Sequence, residues 1–387
     1  MKFAHLADCH LGSWRQPELQ KLNLESFKTA IDISLKEKVD FVLIAGDLFD
    51  SAYPPIEILE ETFSELKKLK DKDISCYIIA GSHDYSVSGK TFLSILEKAG
   101  FCRNLYNPEE KNGVVFLAPI IHGNIALYGY PGKKSGLEVQ EIKNIKLHEA
   151  PGLFRIFALH TCIREASKNL PIESVNESEL PEADYYALGH LHIDFNKNNF
   201  IYPGPTFPNN FQELEELKNG RFYIVETEPF QAIKKQIKIK ETEFFEIEIQ
   251  DALVATEKII EELRGKNLSD KIVLLKLRGK LKKGKTSNIK FEEIENFVKE
   301  KNAYTMLKST SKLIAQENEI NVEIDDMDKL EDEIIKKYLS ENKSKFNPLI
   351  HQLINSLSIE KQESETSSTF NSRLFSELNK VLKIDLK

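Results

Sequence analysis

Cysteine is scarce in this chain of 387 residues, which contains four. Cys9, Cys76, Cys102 and Cys162 lie far apart and form no CxxC pair. Zinc knuckles and disulfide frameworks need cysteines at short, paired spacings, so neither kind of site is indicated. We expect four buried, reduced thiols.

Long hydrophobic runs are also missing. No apolar stretch approaches the roughly 18 residues that a membrane-spanning helix needs. The opening MKFAHLAD reaches His and Asp too early for a signal peptide. We therefore expect a cytoplasmic protein without a membrane partner.

The chain has no excess of positive charge, because 53 Lys and Arg face 61 Asp and Glu for a net charge of −8. This balance argues against a surface that is basic throughout, so any nucleic-acid site must be local. The length allows a large core and one or two smaller modules.

Residues 1–235 carry an α/β pattern in which strand-like runs alternate with helical patterns. The runs are KFAHLA, FVLIAG, CYIIAG, IALYGY, FRIFALH and YYALGH. The later segments FIYPGPTF and GRFYIVETEPF indicate a β-rich return, so the fold class is α/β with a mixed sheet or a two-sheet sandwich flanked by helices.

Residues 240–315 predict a small βαβαβ module. Between Arg264 and Lys290 it has ten Lys or Arg against one acid, Asp270. Such a run of lysines either forms a solvent-exposed face without a ligand or binds phosphate groups. The candidate DNA-binding residues are Lys280, Lys282, Lys283 and Lys285.

Residues 325–387 predict a linker, including SIEKQESETSS, and helices without strands. Two helical segments are amphipathic. Their apolar stripes are Leu349, Ile350, Leu353, Ile354 and Leu357 in one, and Phe370, Leu374, Phe375, Leu378, Val381 and Leu382 in the other. This tail either packs back on the body or binds a partner.

Ionisable residues follow the ends of several strand-like runs and suggest a metal site. They are Asp8, His10, Asp47, His83, His160, His190 and His192. Five of the nine histidines belong to this set, whereas His5, His122, His148 and His351 are expected to be structural or on the surface. In extended backbone an i, i+2 spacing points both side chains of DxH and HxH the same way.

Each of these fragments is common alone, but five of them in fixed order form a strong signal. Imidazole and carboxylate ligands suit manganese, iron or zinc. A carboxylate at a glycine turn, such as Asp47, can bridge two ions, and two ions could activate water and hold both oxygens of a phosphoryl transfer.

The order D-x-H, G-D-x-x-D, G-S-H-D, H and G-H-x-H resembles the calcineurin-like metallophosphoesterase superfamily. HLADCHLG and AGDLFDSAYPP, with a small module and a helical tail, resemble its MRE-eleven/SbcD branch of DNA double-strand-break repair nucleases. The resemblance implies a metallophosphoesterase-type sandwich, an α/β capping domain that contacts DNA, and a helical tail.

The resemblance also implies roles for individual residues. One ion is held by Asp8, His10, Asp47 and His192, and a second by Asp47, His160 and His190. His83 meets the phosphate and assists the leaving oxygen, oriented by Asp84, because imidazole donates a proton near neutral pH.

Two positions depart from the pattern of many relatives. Asp50 stands where many carry a histidine that helps to place the DNA phosphate and others carry an aspartate. Ser82 stands where an asparagine carbonyl usually completes the second metal site. A serine hydroxyl is shorter and a poorer ligand, so we expect that site to be looser or to take an extra water.

The function implied is a Mn²⁺-dependent nuclease acting on DNA ends, nucleoid-associated during repair. In this family the nuclease is a homodimer that binds an SMC-like Rad-fifty/SbcC ATPase through C-terminal helices. Two alternatives remain open: a phosphatase or small-molecule phosphodiesterase on the same scaffold, and a scaffold subunit with weakened chemistry.

The homodimer contact is predicted at helices around Pro55 to Lys70 and Gly89 to Ala99. The first has Ile56, Leu59, Phe63 and Leu66 at helical spacing. The alternative is that this stripe faces only its own sheet.

Overall fold

A computed structural model describes residues 1–84, 91–111, 114–133, 136–167, 172–315, 339–340, 344, 346–359 and 367–382. The helices are α1 Pro17–Lys36, α2 Ile56–Lys70, α3 Phe92–Lys98, α4 Glu138–Ile142, α5 Arg164–Ser167, α6 Phe211–Leu217, α7 Ala255–Arg264, α8 Phe291–Glu300, α9 Ile350–Leu357 and α10 Ser367–Leu382. Short 3₁₀ turns span Glu177–Glu179, Thr286–Asn288 and Asn347–Leu349.

The strands of the first two hundred residues confirm the predicted alternation. They are β1 Lys2–Leu6, β2 Phe41–Ala45, β3 Ser75–Ile79, β4 Arg103–Asn104, β5 Pro108–Lys111, β6 Val114–Leu117, β7 Ile120–His122, β8 Ile125–Tyr130, β9 Ile145–Leu147, β10 Phe154–His160, β11 Tyr185–Gly189 and β12 Phe195–Lys197. The later strands are β13 Phe200–Tyr202, β14 Gly220–Thr227, β15 Phe230–Ile237, β16 Thr242–Glu248, β17 Ile272–Leu281 and β18 Thr305–Ala315.

Two six-stranded sheets form the predicted sandwich. One runs β15-β14-β1-β2-β3-β4 and the other β12-β13-β11-β10-β8-β7. The central strands of each sheet are parallel, and β14 returns antiparallel to β1. Side chains from both sheets, among them Phe3, Phe41, Leu127 and Ile156, are fully buried together. The interior of the sandwich is therefore a continuous apolar core, as two packed sheets require.

Helices cover the outer faces of this sandwich. Phe27 and Ile31 of α1 and Leu66 of α2 pack on the first sheet, and Val139 and Ile142 of α4 pack on the second. A small sheet of β5, β6 and β9 was not predicted from the sequence. The four cysteines are buried and free, as expected.

The βαβαβ module is confirmed, with β16, β17 and β18 parallel and in that order. It contacts the sandwich through an apolar cluster that includes Leu274 and Leu307 on the module and Leu19, Leu22 and Leu214 on the sandwich. Residues Met1–Ala315 form one compact unit. The boundary predicted between residues 235 and 240 falls inside that unit and stays a prediction.

Residues Gln316–Lys387 form a second unit. The two predicted amphipathic segments are helical, α9 and α10, and they pack on each other. None of their described side chains is fully buried. Residues 316–338 and most of the Ser/Glu-rich linker lie outside the described residues. Within the described part of the chain, no helix has the length and apolarity needed to span a membrane.

Candidate metal centre

The carboxyl ends of strands from both sheets meet at one edge of the sandwich. Asp8 and Asp47 follow β1 and β2, His160 ends β10, and His190 follows β11. Four site residues have a left-handed backbone: Asp8 (φ 52°), His10 (φ 42°), Asp47 (φ 50°) and His190 (φ 96°). Such φ values are uncommon outside glycine and cluster at functional sites.

The two Ala-Gly strand endings allow this convergence. Gly46 has φ +89°, and a Cβ there would overlap the imidazole of His160. A Cβ on Gly81 would overlap the carboxylate of Asp47. Glycine at both turns therefore lets the loops after β2 and β3 pack directly against the site residues.

Asp8, His10 and His192 form a first group of potential ligands, with one ligand atom from each lying within 4.8 Å of the others. The Nε2 atoms of His10 and His192 are 3.1 Å apart. Nε2 of His192 lies 3.9 Å from Oδ1 of Asp8. These three residues could hold one metal ion.

Asp8, Asp47 and His160 form a second group by the same measure. Nε2 of His160 lies 3.1 Å from Oδ2 of Asp47, and Nε2 of His10 lies 3.6 Å from that same oxygen. Asp47 therefore stands between the two groups, where a bridging carboxylate would be. The ring of His190 adjoins that of His160, with centroids 5.1 Å apart.

Three of the imidazoles are held from behind through Nδ1. Nδ1 of His10 lies 3.3 Å from Oδ1 of Asp50, and Nδ1 of His160 lies 3.0 Å from the carbonyl oxygen of Ala45. Nδ1 of His192 lies 2.9 Å from Oε1 of Glu213. Carbonyls and ionised carboxylates only accept hydrogen bonds, so each Nδ1 donates. A neutral ring then has its Nε2 lone pair directed into the centre, the arrangement typical of metal-binding histidines.

The residues present fit a divalent cation. Oδ2 of Asp8 is buried and has no hydrogen-bond partner among the described residues. Nε2 of His160 is buried and faces Oδ2 of Asp47 at 3.1 Å without hydrogen-bond geometry. The carboxylates of Asp8 and Asp47 are both buried, and buried charges are unfavourable unless they are paired or coordinate a metal. The oxygen and imidazole donors suit manganese, iron or zinc.

Without a metal, protons on the imidazoles balance these carboxylates. Burial opposes charge on His160, but Asp47 outweighs it, so the pKa of His160 is raised and that of Asp47 is lowered. Burial also opposes charge on His192, yet the hydrogen bond to Glu213 helps to raise its pKa to about 9. Burial and the charge of His160 lower the pKa of His190 to about 4. A metal bound here would displace protons.

His83 lies at the rim of the centre with its side chain 48% exposed. Its ring meets that of His10 edge to face, with centroids 4.6 Å apart. Its Nδ1 donates to the carbonyl oxygen of Asp50 at 2.9 Å. The backbone N–H of His83 donates to Oδ1 of Asp47 at 2.7 Å.

The structure corrects the expected role of Asp84 as the residue that orients His83. The Asp84 carboxylate is buried and accepts backbone N–H bonds from Leu48, Phe49 and Gly81. Burial and the neighbouring Asp47 charge raise its pKa. Asp84 therefore ties the loop after β3 to the loop after β2, and Asp50 orients the imidazole.

The sequence did not predict the contacts that Asp50 and Glu213 make with histidines of the centre. Asp50 contacts both His10 and His83, and Glu213 contacts His192. The signal for Glu213 was local: Asn210 followed three residues later by Glu is a helix-capping pattern.

Ser82 places its hydroxyl 3.4 Å from Oδ2 of Asp47.

Histidines outside the centre have structural contacts. Nδ1 of His5 lies 2.8 Å from the hydroxyl of Tyr185, and Nδ1 of His122 lies 2.9 Å from that of Tyr77. His148 lies beside Glu109. The interpretation of these three as structural or surface residues agrees with the structure.

The four candidate DNA-binding lysines surround the turn after β17. Lys280, Lys282, Lys283 and Lys285 are all exposed. By contrast, Lys276 is paired with Glu215, and Arg278 with Glu246 and Glu248. No ion pair involves the four lysines within the described part of the chain. The local basic charge is therefore accessible.

The predicted dimer stripe divides into two parts. Leu59 and Leu66 of α2 are buried in their own core and Phe63 packs against it, as the alternative held. Ile56 remains 72% exposed, and Tyr53 just before the helix 68%. Residues 89 and 90 of the second predicted helix lie outside the described residues.

A pair of buried carboxylates and converging imidazoles at the strand ends of a two-sheet sandwich defines a metal-dependent hydrolase of the phosphoesterase class. A family model described as calcineurin-like phosphoesterase matches residues 1–194. The chain belongs to the calcineurin-like phosphoesterase family and, within it, to the MRE-eleven/SbcD branch.

Two curated relatives carry the name DNA double-strand break repair protein Mre11. That of Methanocaldococcus jannaschii is 31% identical over 69% of this chain and 74% of its own length. That of Archaeoglobus fulgidus is 26% identical over 72% of this chain and 68% of its own length. A solved archaeal phosphodiesterase covers 61% of this chain and 99% of its own, at 13% identity and a TM-score of 0.28.

Proposed function

We propose that the chain is a manganese-dependent DNA nuclease that processes ends in double-strand-break repair and homologous recombination. Its activities would be a double-strand 3′–5′ exonuclease and a single-strand endonuclease. The observation that carries the proposal is the set of Nδ1-anchored imidazoles directed at two buried carboxylates. The names of the curated relatives support DNA as the substrate.

The proposed ligands follow the two groups of side chains. Asp8, His10 and His192 would hold one ion, and His160, His190 and Ser82 the other, with Asp47 shared. When bound, two divalent ions supply an activated water and neutralise the phosphoryl charge. Asp50 and the Ala45 carbonyl keep His10 and His160 oriented from behind.

His83 is the proposed general acid. Its Nδ1 is occupied by the carbonyl of Asp50, so the protonated ring would donate from Nε2 to the leaving oxygen. Its exposed position at the rim gives it access to a phosphodiester. Asp84 supports this loop through backbone bonds rather than through the ring.

The lysines of the capping module are the proposed DNA contact. Each phosphate that a lysine neutralises increases the magnitude of the negative slope of log affinity against log salt by about 0.9 for duplex DNA. Replacing Lys280, Lys282, Lys283 and Lys285 with alanine should therefore reduce that magnitude by about 3 to 4 and weaken duplex binding.

Assays of cleavage with Mn²⁺ on double-stranded DNA and on a small chromogenic phosphodiester test the proposal. The wild type should cut both, whereas the four-lysine variant should lose DNA cleavage and keep the small substrate. A control with the same charge change replaces four exposed lysines elsewhere, Lys36, Lys72, Lys146 and Lys197. Cleavage of the small substrate alone would indicate a small-molecule phosphodiesterase, and cleavage of neither would indicate a scaffold subunit.

Ser82 is expected to weaken the second metal site. Its hydroxyl is directed to Asp47, and a neutral hydroxyl of short reach is a poorer ligand than an amide carbonyl. Ser82→Asn should therefore lower the Mn²⁺ concentration needed for half-maximal cleavage. Titration of both proteins measures this, and an unchanged or raised half-point would show that Ser82, or a water beside it, already completes the site.

A homodimer through α2 and α3 is part of the proposal. Tyr53 and Ile56 are exposed apolar residues, and the rings of Tyr53 and Phe92 meet edge to face at 6.5 Å, which joins the two helices into one surface. Light scattering should give twice the chain mass of 44.4 kDa. Ile56→Asp should return the monomer mass, and an unchanged mass would remove this contact from the proposal.

The helical tail is the proposed binding site for the Rad-fifty/SbcC-type ATPase. Leu357 of α9 is 57% exposed and Phe375 of α10 48%, so both helices have apolar surface for helix-in-groove recognition. Deletion after Ala315, where β18 and the first compact unit end, should abolish co-purification with the ATPase and leave Mn²⁺-dependent cleavage intact. Retained co-purification would contradict this assignment.

A further inference from the structure

His192 is held by a carboxylate that belongs to a different part of the chain. Its Nδ1 donates to Oε1 of Glu213 at 2.9 Å, and the Glu213 side chain is only 15% exposed. The other carboxylate oxygen, Oε2, accepts the backbone N–H of Asn209 at 2.8 Å. Glu213 is thus fixed through both of its oxygens.

The backbone of Glu213 is fixed as well. Glu213 is the third residue of α6, and its N–H donates to Oδ1 of the capping residue Asn210 at 2.9 Å. Side-chain caps of this kind stabilise the start of a helix. The Glu213 carboxylate therefore projects from the first turn of a helix whose starting position is fixed by its cap.

Helix α6 is also anchored on the βαβαβ module. Leu214 is fully buried in the cluster that contains Leu274 and Leu307 of the module. Glu215 forms a salt bridge with Lys276 of β17 at 2.7 Å. Three consecutive residues thus contact a histidine of the centre, the interdomain core and a strand of the module.

We propose that Glu213 is a positioning residue for the metal centre. It keeps His192 in the Nδ1-protonated tautomer and fixes the ring, so that the Nε2 lone pair is directed toward the position shared with Asp8 and His10. Because α6 is anchored on the module, the module contributes to the geometry of this ligand. The inference rests on the proposed metal role of His192.

The tautomer of His192 can be measured independently of cleavage by ¹⁵N NMR of the histidine-labelled, metal-free chain at a pH well above the His192 pKa of about 9, where the ring is neutral. The wild type should show Nδ1–H. Glu213→Ala removes the acceptor, so the Nε2–H form should appear and the dissociation constant for Mn²⁺ should rise by about 10- to 100-fold. Glu213→Gln keeps an acceptor oxygen and the helix cap, and should restore Nδ1–H and most of the affinity.

Glu216→Ala is the matched control, because Glu216 lies on the same helix and is exposed, with a hydrogen bond from Gln212. It should change neither tautomer nor affinity. The inference is overturned if Glu213→Ala leaves both unchanged, or if Glu213→Gln is as impaired as Glu213→Ala. If tautomer and Mn²⁺ affinity respond as expected while no DNA is cut, the inference holds and the proposed nuclease function fails.

Discussion

His83→Ala should reduce Mn²⁺-dependent DNA cleavage by about 100-fold or more while leaving the metal content nearly unchanged, since general acid assistance typically contributes at least that much. The backbone N–H of His83, which holds Oδ1 of Asp47, survives the substitution. The ring itself is at the rim, bonded to the Asp50 carbonyl, and its loss leaves the three Nδ1-anchored histidines in place.

Metal analysis and single-turnover cleavage on the same preparation separate the two effects. His148→Ala is a control, because His148 is a surface histidine beside Glu109 and lies outside the centre. Loss of Mn²⁺ in His83→Ala would make His83 a ligand. Full cleavage activity in that variant would remove it from the reaction.

Asp47→Asn should abolish binding at both metal positions and reduce cleavage by roughly 1,000-fold, the equivalent of about 4 kcal/mol of lost charge stabilisation. Oδ2 of Asp47 faces His160 at 3.1 Å and His10 at 3.6 Å, so one oxygen serves both groups. An amide there cannot bridge two cations as a carboxylate does. Asparagine tolerates the left-handed backbone of this position, so the fold should persist.

Thermal unfolding gives a second readout of Asp47→Asn. Without metal, the variant should unfold at a lower temperature than the wild type near neutral pH, because Asp47 is paired with the buried imidazole of His160 and loss of one partner of a buried ion pair is destabilising. With Mn²⁺ at 100 times its dissociation constant, the wild type gains about 2.7 kcal/mol, and the variant should not. Asp73→Asn, at an exposed position with φ 54°, is the matched control. A wild-type response to Mn²⁺ in Asp47→Asn would show that Asp47 is not shared.

The strands and most of the centre were predictable because each site residue follows an apolar run of strand length. The local pattern and the parallel arrangement of the strands were enough to place Asp8, Asp47 and His160 at one edge of the sheets. The period-2 argument for the DxH and HxH pairs was wrong in its premise, because Asp8, His10 and His190 have left-handed rather than extended backbone. His192 lies with Asp8 and His10, whereas His190 adjoins His160. Amphipathic helices such as α9 and α10 were predictable for the same local reason.

Residues whose role depends on tertiary contacts were not predictable. Glu213 lies 21 positions beyond His192 on a helix, and nothing local reports their hydrogen bond. Asp84 adjoins His83 in sequence, which favoured a pairing between them, but its carboxylate turns into the protein toward the loop after β2. Strand β5 was missed because Pro108–Lys111 is exposed throughout and has no apolar alternation.

Anomalous scattering from crystals grown with Mn²⁺ tests the central claim most directly. Two peaks per chain are expected, one bonded to Asp8, His10 and His192 and the other to His160, His190 and Ser82, with Asp47 bonded to both. A single peak, or peaks bonded to other residues, would contradict a paired centre at the strand ends.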